Sequence, residues 1–144
     1  MTLYTPQILA LAAGLADYPL TGDFTHRASA RSRTCGSVIE VGLACDAAGR
    51  VSGLGIRLAA CAMGQASAAI MAAGLVGRTP DEVTAAHHAL RDWLAGTGAG
   101  CSSLPDWPQI GLLAPALPHK GRHGAIILPW TAALEALCSA EARR

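Results

Sequence analysis

The chain has 144 residues and a mass of 14.7 kDa, the size of one ordinary domain, which excludes a TIM barrel or a two-domain enzyme. Its net charge of +1 gives no overall field to draw it to nucleic acid or to an anionic membrane surface. Hydrophobic residues make up 51%, but 30 residues are Ala and aromatics are only 4%, so a core has to come from closely packed helices rather than bulky side chains.

In chain order, Thr5-Pro6 reads as an N-cap followed by proline at the first helical position. The helix it opens runs to about Asp17, with Ile8, Leu9, Ala12 and Leu15 on one face. Residues 18–34 read as irregular, with Pro19, Gly22 and a basic run of His26, Arg27, Arg31 and Arg33. Ser37 to Cys45 and Arg50 to Ala59 alternate like strands, joined by a short turn over Asp46–Gly49. Gly42, Gly53 and Gly55 weaken both strands and predict a bulge or a close helix contact. Ala62 to Val76 reads as a helix with Gly77 just past its end. The uncharged stretch from Leu58 to Gly77 has the length of a membrane span, but its Ala, Gly, Gln65 and Ser67 make it a poor one. Thr79-Pro80-Asp81-Glu82 is a capping box that starts a helix running to about Ala95. After a Gly-rich loop come a short helix over Pro105–Leu113, a loop over Pro115–Gly124, and a last helix from near Ala125 to about Ala142, with Pro129 near its first turn. Strands and helices are segregated, which predicts a single α+β domain over 1–144, a small antiparallel sheet built on a hairpin with helices packed on one face.

Hairpin geometry yields the sharpest expectation about a site. A turn centred on Ala47 and Ala48 pairs residues whose numbers add to about 95, which brings Cys35 and Cys61 opposite one another where the hairpin opens, with Cα atoms roughly 4.5–5.5 Å apart. Cys61 opens the helix from Ala62, and a helix N-terminus favours thiolate, the form that binds metal. Two facing thiols admit three readings: a soft-metal site, a disulfide, or inert core thiols. The five cysteines, in a chain with no visible export signal, point to reduced thiols and a cytoplasmic setting. Cys45, Cys101 and Cys138 fit no tight metal spacing; Cys101 is the spare thiol and Cys138 is expected to pack in the last helix. His88 and Asp92 share a helix face, which reads as solvated. No G-x-S-x-G, P-loop or dinucleotide fingerprint is present.

The segment from Cys35 through Gly77 resembles the NifU/IscU/SufU-type iron–sulfur cluster assembly scaffold family. Cys35-Gly36-Ser37 stands where that family has Cys-Gly-Asp before a strand, and Cys61 in CAMGQASAAIM stands where its second ligand cysteine opens a helix. Gly77-Arg78-Thr79-Pro80-Asp81 fits the family's Gly-x-[ST]-x-[DE] step, and LPHKGRHGAIILPWTAALEAL resembles the segment around its third cysteine and final helix. Two positions depart: the family's Asp is Ser37, and no Cys stands at the third ligand position, where His123 is the ligand-capable side chain. Imidazole can replace a thiolate on zinc or iron. The resemblance implies a SufE/NifU-like fold and a non-enzymatic scaffold that holds iron, an Fe–S cluster or zinc through Cys35, Cys61 and His123. Ser37 would hydrogen-bond a cluster sulfur. The implied partners are a cysteine desulfurase, cluster acceptors and a chaperone, for whose motif Leu117-Pro118-His119-Lys120 is a partial echo. A homodimer, a small thiol or a partner's residue would complete the ligand set. Two alternatives stand beside it: a metal-free homologue that keeps the partner surface, and a thiol-redox protein using Cys35 and Cys61.

Overall fold

The computed structural model describes residues 5–21, 24–32, 36–96 and 106–142. The elements are α1 (Pro6–Ala13) with a 3-10 turn at Gly14–Asp17, β1 (His26–Arg31), β2 (Val38–Cys45), β3 (Val51–Ala59), α2 (Ala62–Leu75), α3 (Pro80–Ala95), 3-10 turns at Ile110–Ala116 and Lys120–Arg122, and α4 (His123–Ala142). The strands form one antiparallel sheet in the order β1-β2-β3. Ile39, Val41 and Leu43 point from β2 into the core. There α4 lies against β1 and β2, α2 meets β3 and α4, and α1 and α3 flank them.

Local chemistry accounts for the helix ends. The Thr5 hydroxyl accepts from the Ile8 N–H, and Pro6 opens α1. Thr79 and Glu82 close a reciprocal capping box, and the same hydrogen bonds from Thr79 hold the Glu82 carboxyl below the usual carboxylate range. Gly77 and Gly96 take positive φ, as chain reversals after helices require. The uncharged stretch becomes α2, buried nearly all round, with ten of its fourteen residues in the core. Among the described residues no helix is long and apolar enough to cross a membrane.

The helices interlock through indoles. Trp130 on α4 is fully buried, and its Nε1–H donates to Ser67 Oγ on α2 at 3.1 Å. Ser67 in turn donates to the Ile126 carbonyl at 2.6 Å. Trp107 meets Trp130 edge-on at 4.6 Å and donates to the Ile70 carbonyl. Its indole lies over Gly74, where an added Cβ would come within 2.5 Å of Nε1.

Several expectations need correction. The segment read as irregular contains strand β1; its inward residues Ala28 and Ala30 are too small to give a visible apolar alternation. The short helix expected over Pro105–Leu113 is a 3-10 turn at Ile110–Ala116, with Pro115 inside it. The last helix starts at His123, two residues earlier than expected, so Pro129 is its seventh residue and denies an amide bond to the Ala125 carbonyl. Cys138 is exposed rather than packed. The glycine expectation holds in modified form. A bulge falls beside Gly53, and the chain that closes over Gly42 and Gly55 is the Pro19–Leu20 and Phe24 strap, not a helix.

Candidate functional site

The hairpin turn sets the register. Asp46 Oδ1 accepts from the Ala48 and Arg50 N–H groups, and Gly49 takes φ +84° to close the loop. The bulge between Ala44 and Cys45 then shifts the ladder by one, so Val38 pairs Ala59 and Ile39 pairs Leu58. Those pairs add to about 97 rather than the expected 95, because the turn holds three residues and the bulge adds another. The ladder ends at Val38↔Ala59. Cys35 and the facing it was expected to make with Cys61 lie outside the described residues.

Cys61 follows the end of β3 and is the N-cap of α2, with extended backbone (φ −65°, ψ 166°) and a sulfur that makes no capping hydrogen bond. It is half-buried and packs on the core. Gln65 folds back over it, its Nε2 donating to the Ala60 carbonyl at 2.8 Å and its backbone N–H to the Cys61 carbonyl. One turn on, Gly64 lies close against Ala125 at the start of α4; an added Cβ would stand 3.2 Å from the Ala125 methyl. The N-terminal turns of α2 and α4 therefore meet, which brings the Cys61 end of one helix toward the His123 end of the other.

Ser37 lies at the entry to β2, 3% exposed, its carbonyl accepting from the Ser32 N–H at 2.8 Å across the β1–β2 connection. Gly36 before it takes φ +70°, a conformation that favours glycine. His123 opens α4. Its Nε2 donates to the carbonyls of Ala116 (3.1 Å) and Leu117 (3.0 Å), so that nitrogen carries the hydrogen and the Nδ1 lone pair is the one left for a metal. A shallow pocket of about 240 Å³ adjoins it, lined by Arg91, Leu94, Ala95, His123, Gly124 and Ile127. Arg91, on α3, is a neighbour of this position that sequence spacing does not reveal. Among the described residues no three His, Cys, Asp or Glu side chains converge on a metal-sized space.

The remaining candidates separate cleanly. Cys45 is half-buried at the turn end of β2, about 23 Å of strand from the Val38 end. Cys101 lies outside the described residues. His88 and Asp92 are on the exposed face of α3, as expected. His87 differs from its neighbour: it is buried, its Nε2 lies 3.0 Å from Thr131 Oγ1 on α4, and its Nδ1 has no partner among the described residues. Thr131 donates to the Ile127 carbonyl, so Nε2–H is the donor of the pair. Burial first, and then the positive charge of Arg91 and proximity of His88, push the His87 pKa down. The folded chain therefore holds this ring neutral, whereas the unfolded chain protonates it near the ordinary value. His87 stability is present above pH about 6.5 and is lost as pH falls below it. The urea midpoint of the wild type is expected to drop more between pH 8 and pH 5.5 than that of His87→Gln; equal drops would refute the assignment.

No family model matches the chain, and no curated protein matches it. Solved structures do. A nitrogen-fixing NifU-like protein (N-terminal) from Brucella abortus is 27% identical with a TM-score of 0.88, over 99% of this chain and 96% of that one. A putative iron–sulfur cluster assembly scaffold protein for the SUF system from Fervidobacterium islandicum AW-1 is 16% identical with a TM-score of 0.77, covering 92% and 94%. A hypothetical protein is 19% identical with a TM-score of 0.67, covering 91% and 96%. The last two speak to the fold alone. The resemblance to the NifU/IscU/SufU-type scaffold family is borne out along the whole chain, and with it the α+β class.

Proposed function

We propose that the chain is an iron–sulfur cluster assembly scaffold, with the cluster or its iron as cargo rather than resident cofactor. The observation that carries this reading is the whole-length match to the NifU-like domain at 27% identity. In this reading the Cys61 sulfur, free of capping duty, and the Cys35 thiolate are two ligands, and His123 supplies Nδ1 as a third. Ser37, in the position of the family's Asp, hydrogen-bonds the cargo rather than binding metal. Zinc suits the same donor set. A cysteine desulfurase would supply sulfur, acceptors would take the cluster, and the open ligand position is filled by a partner, a small thiol or a second copy. The scaffold turns nothing over itself, and its place is the cytoplasm.

The test is metal and acid-labile sulfide after anaerobic purification, with Cys35→Ala, Cys61→Ala and His123→Ala alongside. Near-stoichiometric iron with sulfide, or zinc, is expected in the wild type, with loss in both cysteine variants and weakened retention in His123→Ala. A chain that stays metal-free and cannot be reconstituted would overturn the proposal in favour of a partner-binding module. Loss of two thiols on mild oxidation, abolished in Cys35→Ser, would instead point to thiol redox chemistry.

A further inference from the structure

The basic run of the N-terminal third is organised by the sheet. In β1, Ala28 and Ala30 turn inward, so Arg27, Ser29 and Arg31 turn outward. Register carries that outward row across the strands: Arg27 stands beside Gly42 and Gly55, Ser29 beside Glu40 and Arg57, and Arg31 beside Val38 and Ala59. Three guanidinium groups thus share one sheet face with one carboxylate, Glu40, which Arg57 pairs at 3.2 Å. Arg27 and Arg31 are exposed and make no ion pair among the described residues. The strap of Pro19–Leu20 and Phe24 closes over this face at Gly42 and Gly55. Beyond it an open groove of about 410 Å³ runs past Ser29, Val38, Glu40, Arg57 and Ala59.

Dimensions and charge say what such a face would hold. Arg27 and Arg31 are about 13 Å apart along the strand, and β3 lies about 10 Å away across the sheet. The chain as a whole is nearly neutral at +1, so this face is a local concentration of positive charge, on which the Arg57–Glu40 pair is the one ion pair among the described residues. An extended segment with carboxylates at alternate residues repeats every ~6.8 Å, the spacing of the Arg27–Ser29–Arg31 row. A nucleic acid is less suited: the groove floor has no aromatic ring for a base to stack on, and one of the three cations is already paired.

We propose that this face docks an acidic segment of a partner protein, its carboxylates reaching Arg27 and Arg31 along β1 and Arg57 across the groove. The Val38↔Ala59 end of the groove is two residues from Cys61, so a segment bound there lies beside the candidate site. Resting on the scaffold reading, this is the docking face for the protein that delivers sulfur or takes the cluster.

The test uses the full chain, metal-free and ¹⁵N-labelled, titrated with unlabelled octaglutamate at 50 mM salt and followed by amide shifts. Shifts are expected on β1, the Val38 end of β2 and the Arg57–Ala59 end of β3, weakening at 200 mM salt. Arg27→Glu/Arg31→Glu should bind at least tenfold more weakly, while Arg27→Lys/Arg31→Lys stays within about threefold of wild type. Circular dichroism checks that both variants fold. Shifts elsewhere, unchanged binding by the charge-reversed variant, or tighter binding of a twelve-nucleotide single-stranded DNA on the same face would each overturn the proposal. The readout needs no metal. Peptide binding by a chain that holds no cluster would leave this face standing and the scaffold reading fallen; a cluster-holding chain that ignores the peptide would do the reverse.

Discussion

Gly55→Ala is expected to cost about 3 kcal/mol, which for a chain of this size lowers the melting temperature by about 10 °C. The Gly55 backbone does not lie in the left-handed region, so the cost is steric, not conformational. A methyl group there would stand 2.6 Å from the Pro19 carbonyl oxygen and 2.8 Å from the Leu20 Cα, both backbone atoms that cannot swing aside. The strap is also pinned at that point, since the Ile56 N–H donates to the Tyr18 carbonyl at 2.8 Å. Two neighbours act as controls. Gly42→Ala meets mainly the Phe24 ring, which can rotate, and is expected to cost about half as much. Gly53→Ala meets only the Ala44 methyl at 3.9 Å and is expected to be neutral or slightly stabilising. Thermal denaturation of the three variants should rank them in that order. Equal costs would mean that strand propensity, not the strap, decides.

Trp130→Ala is expected to be costlier still, about 4 kcal/mol and about 12 °C in Tm, a large share of the stability of any domain this size. It removes a fully buried indole, its edge-on contact with Trp107, and the hydrogen bond to Ser67 that ties α4 to α2. Trp130→Phe keeps most of the volume and should lose only about 1–2 kcal/mol. Urea titrations of the two variants separate volume from hydrogen bond; a phenylalanine variant as damaged as the alanine one would show that the Ser67 bond, not the packing, holds the helices. Either substitution acts on the candidate site at a distance, because the same two helices begin at Cys61 and His123.

Legibility in the sequence followed how local each determinant is. Thr5-Pro6 and Thr79-Pro80-Asp81-Glu82 announce helices because capping is decided within four residues. The hairpin was legible for the same reason, but its register was not, since the bulge depends on how β3 packs. β1 was hidden because the inward residues at its centre are alanines and its pairing partner lies further along the chain. The glycines signalled a close approach without naming what approaches. The ordered motifs around Cys61 and Ser37 carried the family resemblance. The burial of His87 and the place of Arg91 beside His123 come from the packing of α3 on α4, which no spacing within one helix records.

Cys61 opens a helix of which ten of fourteen residues are buried. The helix that carries it is therefore anchored by side chains as remote as Met71 and Leu75, and in the proposed scaffold reading the cost of ordering that helix falls on folding rather than on cargo binding. In a mutational screen this blurs the usual division between site and scaffold. A substitution that tilts α2 by a few degrees while leaving the chain folded would misplace the thiol and score as a ligand defect, although it touches no ligand. If the chain is such a scaffold, variants selected for lost cargo retention should accordingly map along the buried length of α2 as well as at its N-cap, Cys61.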